Sequence, residues 1–401
     1  MTPELVVLVL VVVTALTFDF TNGFHDTANA MASSIATKAL SPKAAVTLSA
    51  ILNLVGAFLS VEVALTVTNA VINIQNPDGT PKAELTADHG QALLMILLAG
   101  LIGAIVWNLL TWLLGLPSSS SHALFGGLIG ATVAGLGWAG VKWLGTGTKL
   151  DGVIGKVILP GLMSPLIAGL VSMTGTWLVA RIARSIDRTY AARGFRWGQI
   201  MSASLVSLSH GTNDAQKTMG VITLALIASG TWTDAHSVPF EVKIACALAI
   251  ALGTYIGGWR IIRTMGKGLV AISPEQGISA DMATASTILV SSQLGFALST
   301  THVATGSIIG SGLGKGEPIR WRLVGRMGLA WLVTIPAAGV VGALVWYLGH
   351  VCGPVAGPIV IFLVLCAVGL WIYWHNRKAP VHHENVNEEW QAEIKREKVS
   401  L

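Results

Sequence analysis

Apolar residues along this chain come in long runs separated by short polar stretches: Leu5–Phe18, Ala44–Ile72, Ala92–Leu116, Val153–Ala180, Ser202–Ser229, Ile244–Trp259, Ala283–Leu298, Met327–Leu348 and Ile359–Trp374. A helix crosses the hydrocarbon of a bilayer with about 20 residues, and most of these runs are long enough. Two further stretches, Ala123–Gly140 and Val303–Gly314, are apolar, glycine-rich and short, and each follows a polar knot. That pattern predicts a re-entrant or broken helix. The start, Thr2 to Phe18, lacks the basic region of a signal peptide and carries Glu4, so it reads as a retained first span. The expected fold class is an all-α polytopic membrane protein.

Composition sharpens this picture. The 401 residues are 53% hydrophobic and only 11% charged, with a mean hydropathy of +0.67. An ordinary soluble domain carries about 25% charged residues, so this chain cannot cover a soluble surface of its length. The net charge of +5 does not point to nucleic acid, because the basic residues sit in short clusters between apolar runs. Arg181, Arg184, Arg188, Arg193 and Arg196 fall in one middle loop, which is expected to be cytoplasmic. Lys38 and Lys43 are placed on the same side. The loop Gln75–Gly90, with Asp78, Glu84 and Asp88, is expected outside, as is the N-terminus. Lys142, Lys149 and Lys156 fit this scheme poorly. The chain divides into a first transmembrane repeat at 1–180, an Arg-rich linker at 181–198, a second repeat at 199–375 and a charged, solvated tail at 376–401. Cys246, Cys352 and Cys366 are far apart in apolar segments and read as small buried hydrophobes.

The division into halves rests on a duplication. Asn22-Gly23-Phe24-His25-Asp26-Thr27-Ala28-Asn29 recurs in form as His210-Gly211-Thr212-Asn213-Asp214-Ala215-Gln216-Lys217. After each comes a second knot: Ser118-Ser119-Ser120-Ser121-His122 and Ser299-Thr300-Thr301-His302, each followed by glycines four and eight residues past the histidine. Two paired knots in the same order are the mark of a secondary transporter. Odd numbers of crossings per half would invert the repeats, and even numbers would leave them parallel.

The knots carry chemistry suited to an ion. A carboxylate inside an apolar span costs about 2.5–3.5 kcal/mol, so Asp26 and Asp214 need partners. On a helix, residues three apart share a face, which lets Asp26 meet Asn29 and Asp214 meet Lys217. The Lys217 ammonium would be an internal cation. His25 can titrate near neutral pH. Ser119, Ser120, Ser121, Ser299, Thr300 and Thr301 offer hydroxyls, and a helix beginning at each knot would add unpaired amides and a positive dipole end, an anion seat without arginine. His122 and His302 are expected to order the knots by hydrogen bonds, and Gly23, Gly211 and Gln216 to support them. No Walker loop, Gly-x-Ser-x-Gly elbow or His-Glu-x-x-His run occurs, so neither an ATP-driven pump nor a hydrolase is expected, and the chain is not read as an enzyme.

These paired knots closely resemble those of the inorganic phosphate transporter (PiT) family, over nearly the whole chain from Leu5 to Leu348. The resemblance implies about 10–12 transmembrane helices in two inverted repeats with two re-entrant hairpins, and often a homodimer. It implies uptake of inorganic phosphate by cation symport across the bacterial inner membrane. By match of motif, Asp26, Asn29, Asn213 and Asp214 fall at cation-site positions. Ser119, Ser120, Ser121, Ser299, Thr300 and Thr301 fall at phosphate-site positions. His25 and Lys217 stand where sodium-coupled members have asparagine, and both changes remove oxygen ligands. The pattern is similar to the bacterial low-affinity branch, which moves phosphate with protons, commonly as a neutral complex with a divalent metal such as Mg²⁺. No resident cofactor is implied. A sulfate permease, a Na⁺-coupled phosphate symporter and an anion-sensing receptor or channel are the alternatives.

Overall fold

The computed structural model describes residues 3–73, 85, 87–145, 151–183, 188–234, 236–378 and 380–386. Asp78, Glu84, Lys149, Arg184 and the tail from residue 387 lie outside them. In lipid every backbone amide must find its partner within the protein. The described residues accordingly form thirteen α-helices and no strand. These are α1 (Pro3–Ala36), α2 (Pro42–Gly56), α3 (Glu62–Ala70), α4 (Gln91–Leu113), α5 (Ser120–Leu136), α6 (Leu159–Ala183), α7 (Arg188–Ala228), α8 (Phe240–Ile256), α9 (Trp259–Gly268), α10 (Pro274–Gln293), α11 (Thr300–Lys315), α12 (Trp321–Val351) and α13 (Ala356–Asn376).

The first apolar run does not stop at Phe18. α1 continues for 34 residues through the Asp26 knot, and α7 runs for 41 residues through the Asp214 knot. Neither knot contains proline, and Thr27 and Thr212 satisfy their hydroxyls on carbonyls one turn back, at Gly23 (2.6 Å) and Leu208 (2.8 Å). The run Ala44–Ile72 divides after Gly56 into α2 and α3. α8 bends by 67° into α9 at Gly257, whose φ of +80° suits glycine. Most of the 181–198 stretch is helical, as the end of α6 and the beginning of α7.

Among the described residues, five helices are long and apolar enough to cross a membrane, or six if the bent pair counts as one span. α7 and α10 fall below that measure because buried Gln, Ser, Thr and Asn dilute their apolar residues. α5 and α11, at 17 and 16 residues, are shorter than a full crossing. The surface is apolar, with Leu162, Leu166 and Leu170 of α6 and Leu329, Leu332 and Leu344 of α12 all exposed, whereas the interior holds many polar side chains. Of the cysteines only Cys246 is buried as expected; Cys352 is half-buried and Cys366 exposed on the apolar helix α13.

Helix contacts come in matched pairs. α1 packs on α8, and α7 packs on α2. α4 packs on α1, α5 and α12; α10 packs on α7, α11 and α6. The short helix α5 lies against α12, and the short helix α11 lies against α6. Each half thus seats its short helix on the long helix of the other half. Glycine makes the approach possible, as is usual between membrane helices. A methyl group at Gly130 would collide with the Gly339 carbonyl, and one at Gly310 with the Gly169 carbonyl. These are the glycines eight residues after His122 and His302.

Candidate functional site

α5 and α11 each begin inside the protein. Ser119 has extended backbone (φ −96°, ψ 110°) and its hydroxyl accepts from the His122 amide at 3.1 Å. Ser299 does the same (φ −83°, ψ 107°), accepting from the His302 amide at 3.2 Å. Both serines are therefore N-caps that set the direction of their helices. The following hydroxyls point at the two aspartates. Ser120 donates to Asp26 Oδ2 at 2.5 Å. The Thr300 hydroxyl lies 3.3 Å from the same oxygen and 3.1 Å from Asp214 Oδ2, so it bridges the two carboxylates. Asn29 does not bond Asp26; its amide donates to Thr300 at 3.2 Å and Thr301 at 3.0 Å.

Asp214 meets Lys217 as an i, i+3 pair, and the ammonium also donates to Ser121 at 2.5 Å and to the Leu298 carbonyl at 2.9 Å. Asn213 donates to that carbonyl at 3.0 Å and to Asp214 Oδ1 at 3.1 Å. His25 Nδ1 lies 2.6 Å from Asp26 Oδ1, and its other nitrogen faces Thr111 and Ser118, both at 3.4 Å. His210 Nε2 lies 2.9 Å from Asp214 Oδ2, while its Nδ1 is 3.1 Å from Asn53 Oδ1. Every one of these side chains is buried; the most exposed, Asn29, keeps only 7% of its surface. Ligand atoms of Asp26, Asp214 and His210 lie within 4.8 Å of one another, near enough to share a proton or a small cation.

Five expected residues take supporting places outside this cluster. Gly23 and Gly211 face the backbones of α8 and α2, where a side chain would collide with the Ile250 and Asn53 carbonyls. Gln216 turns away, accepting from the Val63 amide at 2.9 Å and tying α3 to α7. His122 and His302 meet edge to face, with ring centroids 4.6 Å apart, and His302 Nδ1 lies 3.1 Å from the Gly161 carbonyl. They join the two knots from behind.

The Phosphate transporter family model matches residues 22–342, from the first residue of the Asp26 knot to within α12. The chain belongs to the phosphate transporter family. Across 393 residues it is 53% identical to a probable low-affinity inorganic phosphate transporter of Mycobacterium bovis, covering 98% of this chain and 89% of that protein. A protein of the same description from Bacillus subtilis is 39% identical over 345 residues, covering 86% of this chain and 97% of its own. A solved structure, the sodium-dependent phosphate transporter, superposes with a TM-score of 0.74 over 86% of this chain and 99% of its own; at 20% identity the likeness shows the shared helical fold. In this transporter, His210 is the site member that sequence reasoning passed over. It opens the second knot where the first has Asn22, and its spacing of four from Asp214 on one helix face was the available signal. Thr111 gave no such signal, because only the fold brings α4 to His25, and Ser118 stands in the serine knot but was not among its expected ligands.

Proposed function

We propose that the protein imports inorganic phosphate across the bacterial inner membrane by proton symport, with the anion held at the facing ends of α5 and α11. The observation that carries this reading is the meeting of two helix N-termini with two buried aspartates and one buried lysine. The hydroxyls of Ser120, Ser121, Thr300 and Thr301 and the free amides of the first helical turns suit an oxyanion. With the histidines neutral, Asp26, Asp214 and Lys217 leave one net negative charge. A dianionic phosphate entering beside it needs compensating positive charge, because like charges a few ångströms apart repel strongly in a buried site. A proton on the Asp26–His25 pair supplies part of it. A divalent metal carried with the phosphate supplies the rest, as a neutral complex.

Lys217 supports proton over sodium coupling. Its ammonium occupies the pocket between Asp214, Ser121 and Leu298, where a Na⁺ would otherwise find oxygens. The protonated hydrogen phosphate can also donate to a carboxylate, which sulfate cannot do, so the two aspartates favour phosphate. The matched helix contacts support an inverted repeat with α5 and α11 as the re-entrant elements. Alternating access then moves these short helices against the opposite half. We include in the same proposal a homodimeric assembly, readable from the mass of the purified protein in detergent.

The test is labelled phosphate uptake into proteoliposomes under an imposed pH gradient, without sodium, with and without magnesium. Uptake that follows the pH gradient is the expected result, and uptake that waits for sodium would overturn proton coupling. Ser120→Ala and Thr301→Ala are expected to cut uptake roughly tenfold each, the equivalent of one charge-assisted hydrogen bond. Unchanged uptake in both would remove the anion seat.

A further inference from the structure

Two buried carboxyls lie outside the cluster just described, and neither faces a fixed positive partner at bonding distance. Asp281 sits on α10 with 4% of its surface exposed. Ser33 of α1 donates to its Oδ1 at 2.8 Å; Gln199 and Ser202 of α7 donate to Oδ2 at 2.8 and 3.3 Å. All three partners are neutral, and no described Lys, Arg or His pairs with it. Asp19 is fully buried on α1. The hydroxyl of Thr218 on α7 and the thiol of Cys246 on α8 face it, and Asp214 and Lys217 act on it only through space. Neither oxygen of Asp19 reaches a donor at hydrogen-bond geometry.

Their positions form a line. Asp19 stands seven residues before Asp26 on α1, and Ser33, which holds Asp281, stands seven residues after it. Seven residues are close to two helical turns, so all three positions share one face at intervals of about 10 Å. By the orientation that the Arg-rich stretch implies, Asp19 lies toward the outside and Asp281 toward the cytoplasm. Neither belongs to the duplication. Ser207 takes the place of Asp19 in the second knot's frame, and Leu101 takes the place of Asp281 in the frame of the two histidine knots, 180 residues apart (302 − 122).

We infer that Asp19 and Asp281 are proton-carrying sites on the outer and inner sides of the Asp26 cluster, a role that rests on the proton-symport reading. The chemistry of their partners separates them from Asp214. An ammonium donates only, and so holds Asp214 as the carboxylate. A hydroxyl donates to a carboxylate and accepts from a carboxylic acid, so Ser33 and Ser202 accommodate Asp281 in either form. A group without a fixed counter-charge in a low-dielectric interior takes up a proton readily, and intramembrane carboxyls recur in proton relays for that reason. The coupled proton enters from the outer water onto the Asp19 carboxylate. It passes to the Asp26–His25 pair when phosphate binds, and leaves through Asp281 to the cytoplasm. Each step moves one proton, relayed across the roughly 10 Å between positions by water admitted as the halves part, and changes no other bond.

The experiment compares wild type, Asp19→Asn and Asp281→Asn in proteoliposomes by two readouts. One is accumulation of labelled phosphate driven by a pH gradient, with entrapped dye following the proton. The other is exchange of labelled for unlabelled phosphate at equal pH, which needs no net proton movement. Each variant is expected to lose at least about tenfold of the driven accumulation and keep exchange within about twofold, and Asp281→Glu to restore accumulation. Full accumulation with proton entry in both variants would overturn the assignment and leave proton symport standing. Loss of accumulation and exchange together would overturn it too, by making the residues structural. Wild type that accumulates only with sodium would remove the symport reading and this inference with it.

Discussion

Asp26 and Asp214 occupy equivalent places in the two halves but have opposite surroundings. Asp214 lies against an ammonium and an imidazole, from Lys217 and His210. Asp26 has a single imidazole, His25, and otherwise hydroxyls from Ser120 and Thr300. One half carries its own counter-charge, and the other leaves a carboxylate to be balanced from outside. Two equivalent acids would demand two travelling cations. On the proposed symport reading, fixing one of them in place lowers that demand to one and makes the two halves do different work on a common frame.

Removing the open acid breaks this comparison most severely. Asp26→Asn is expected to reduce phosphate uptake by roughly 100-fold or more, in line with the 3–5 kcal/mol typical of losing one member of a buried charge cluster. Uptake in vesicles at fixed external phosphate reads it directly. Lys217→Asn sharpens the comparison, because it gives the second half the residue that the first has at Asn29. We expect roughly tenfold weaker uptake under a pH gradient and the appearance of stimulation by sodium; indifference to sodium would deny Lys217 its role as the resident cation.

The shared frame has its own test. Gly130→Ala and Gly310→Ala push a methyl group into the opposite half's backbone, at Gly339 and Gly169. Each is expected to cost about 1–3 kcal/mol by overpacking, seen as a lower midpoint of thermal unfolding in detergent, with similar losses for the two. The smallest effect lies far from the knots. Asp151, in the loop before α6, is one-third exposed and pairs with Lys142 at 2.6 Å. Partial burial opposes its charge, but the Lys142 ammonium and the Gly152 amide outweigh burial and hold its carboxyl below the usual carboxylate range. A depressed folded pKa contributes stability above the unfolded value and loses it as pH falls through the folded one. Asp151→Asn is therefore expected to lower the unfolding midpoint slightly at neutral pH, within the 0–1 kcal/mol of a surface pair, and to converge on wild type as the pH falls through the depressed range of the folded carboxyl.

Much of the site was legible because the chemistry is local. A carboxylate in an apolar run and a lysine three residues later need no tertiary structure to be paired, and Asp214 with Lys217 is that case. The knots preceding α5 and α11 announced helix starts through their serines. Two of the expected anion ligands, Ser119 and Ser299, turned out to use their hydroxyls on their own helices, because an N-cap has first claim on an unpaired amide. Asn29 bonds Thr300 and Thr301 across the halves rather than Asp26 beside it, since α11 comes nearer to its amide than its own turn does. What lay beyond the sequence was partnership across distance. Nothing in the periodicity of α10 shows that Asp281 meets Ser33 and Gln199, and nothing in α4 shows that Thr111 meets His25. The length of α1 was misjudged for a related reason. Polar residues after Phe18 read as the end of a span, whereas the surrounding helices bury them and let the helix run on.

The exchange of short helices between halves bears on how the protein is made. α5 is complete at residue 136, but the helix that receives it, α12, begins only at residue 321. At about 5–20 residues per second of synthesis, α5 waits on the order of ten to forty seconds for that partner. Through that interval the 17-residue segment, capped by Ser119, has α4 to pack on but not the helix that covers its other face. The nascent first half therefore depends on the insertion machinery or the lipid to shelter α5, and the order of assembly is set by the last helices to emerge.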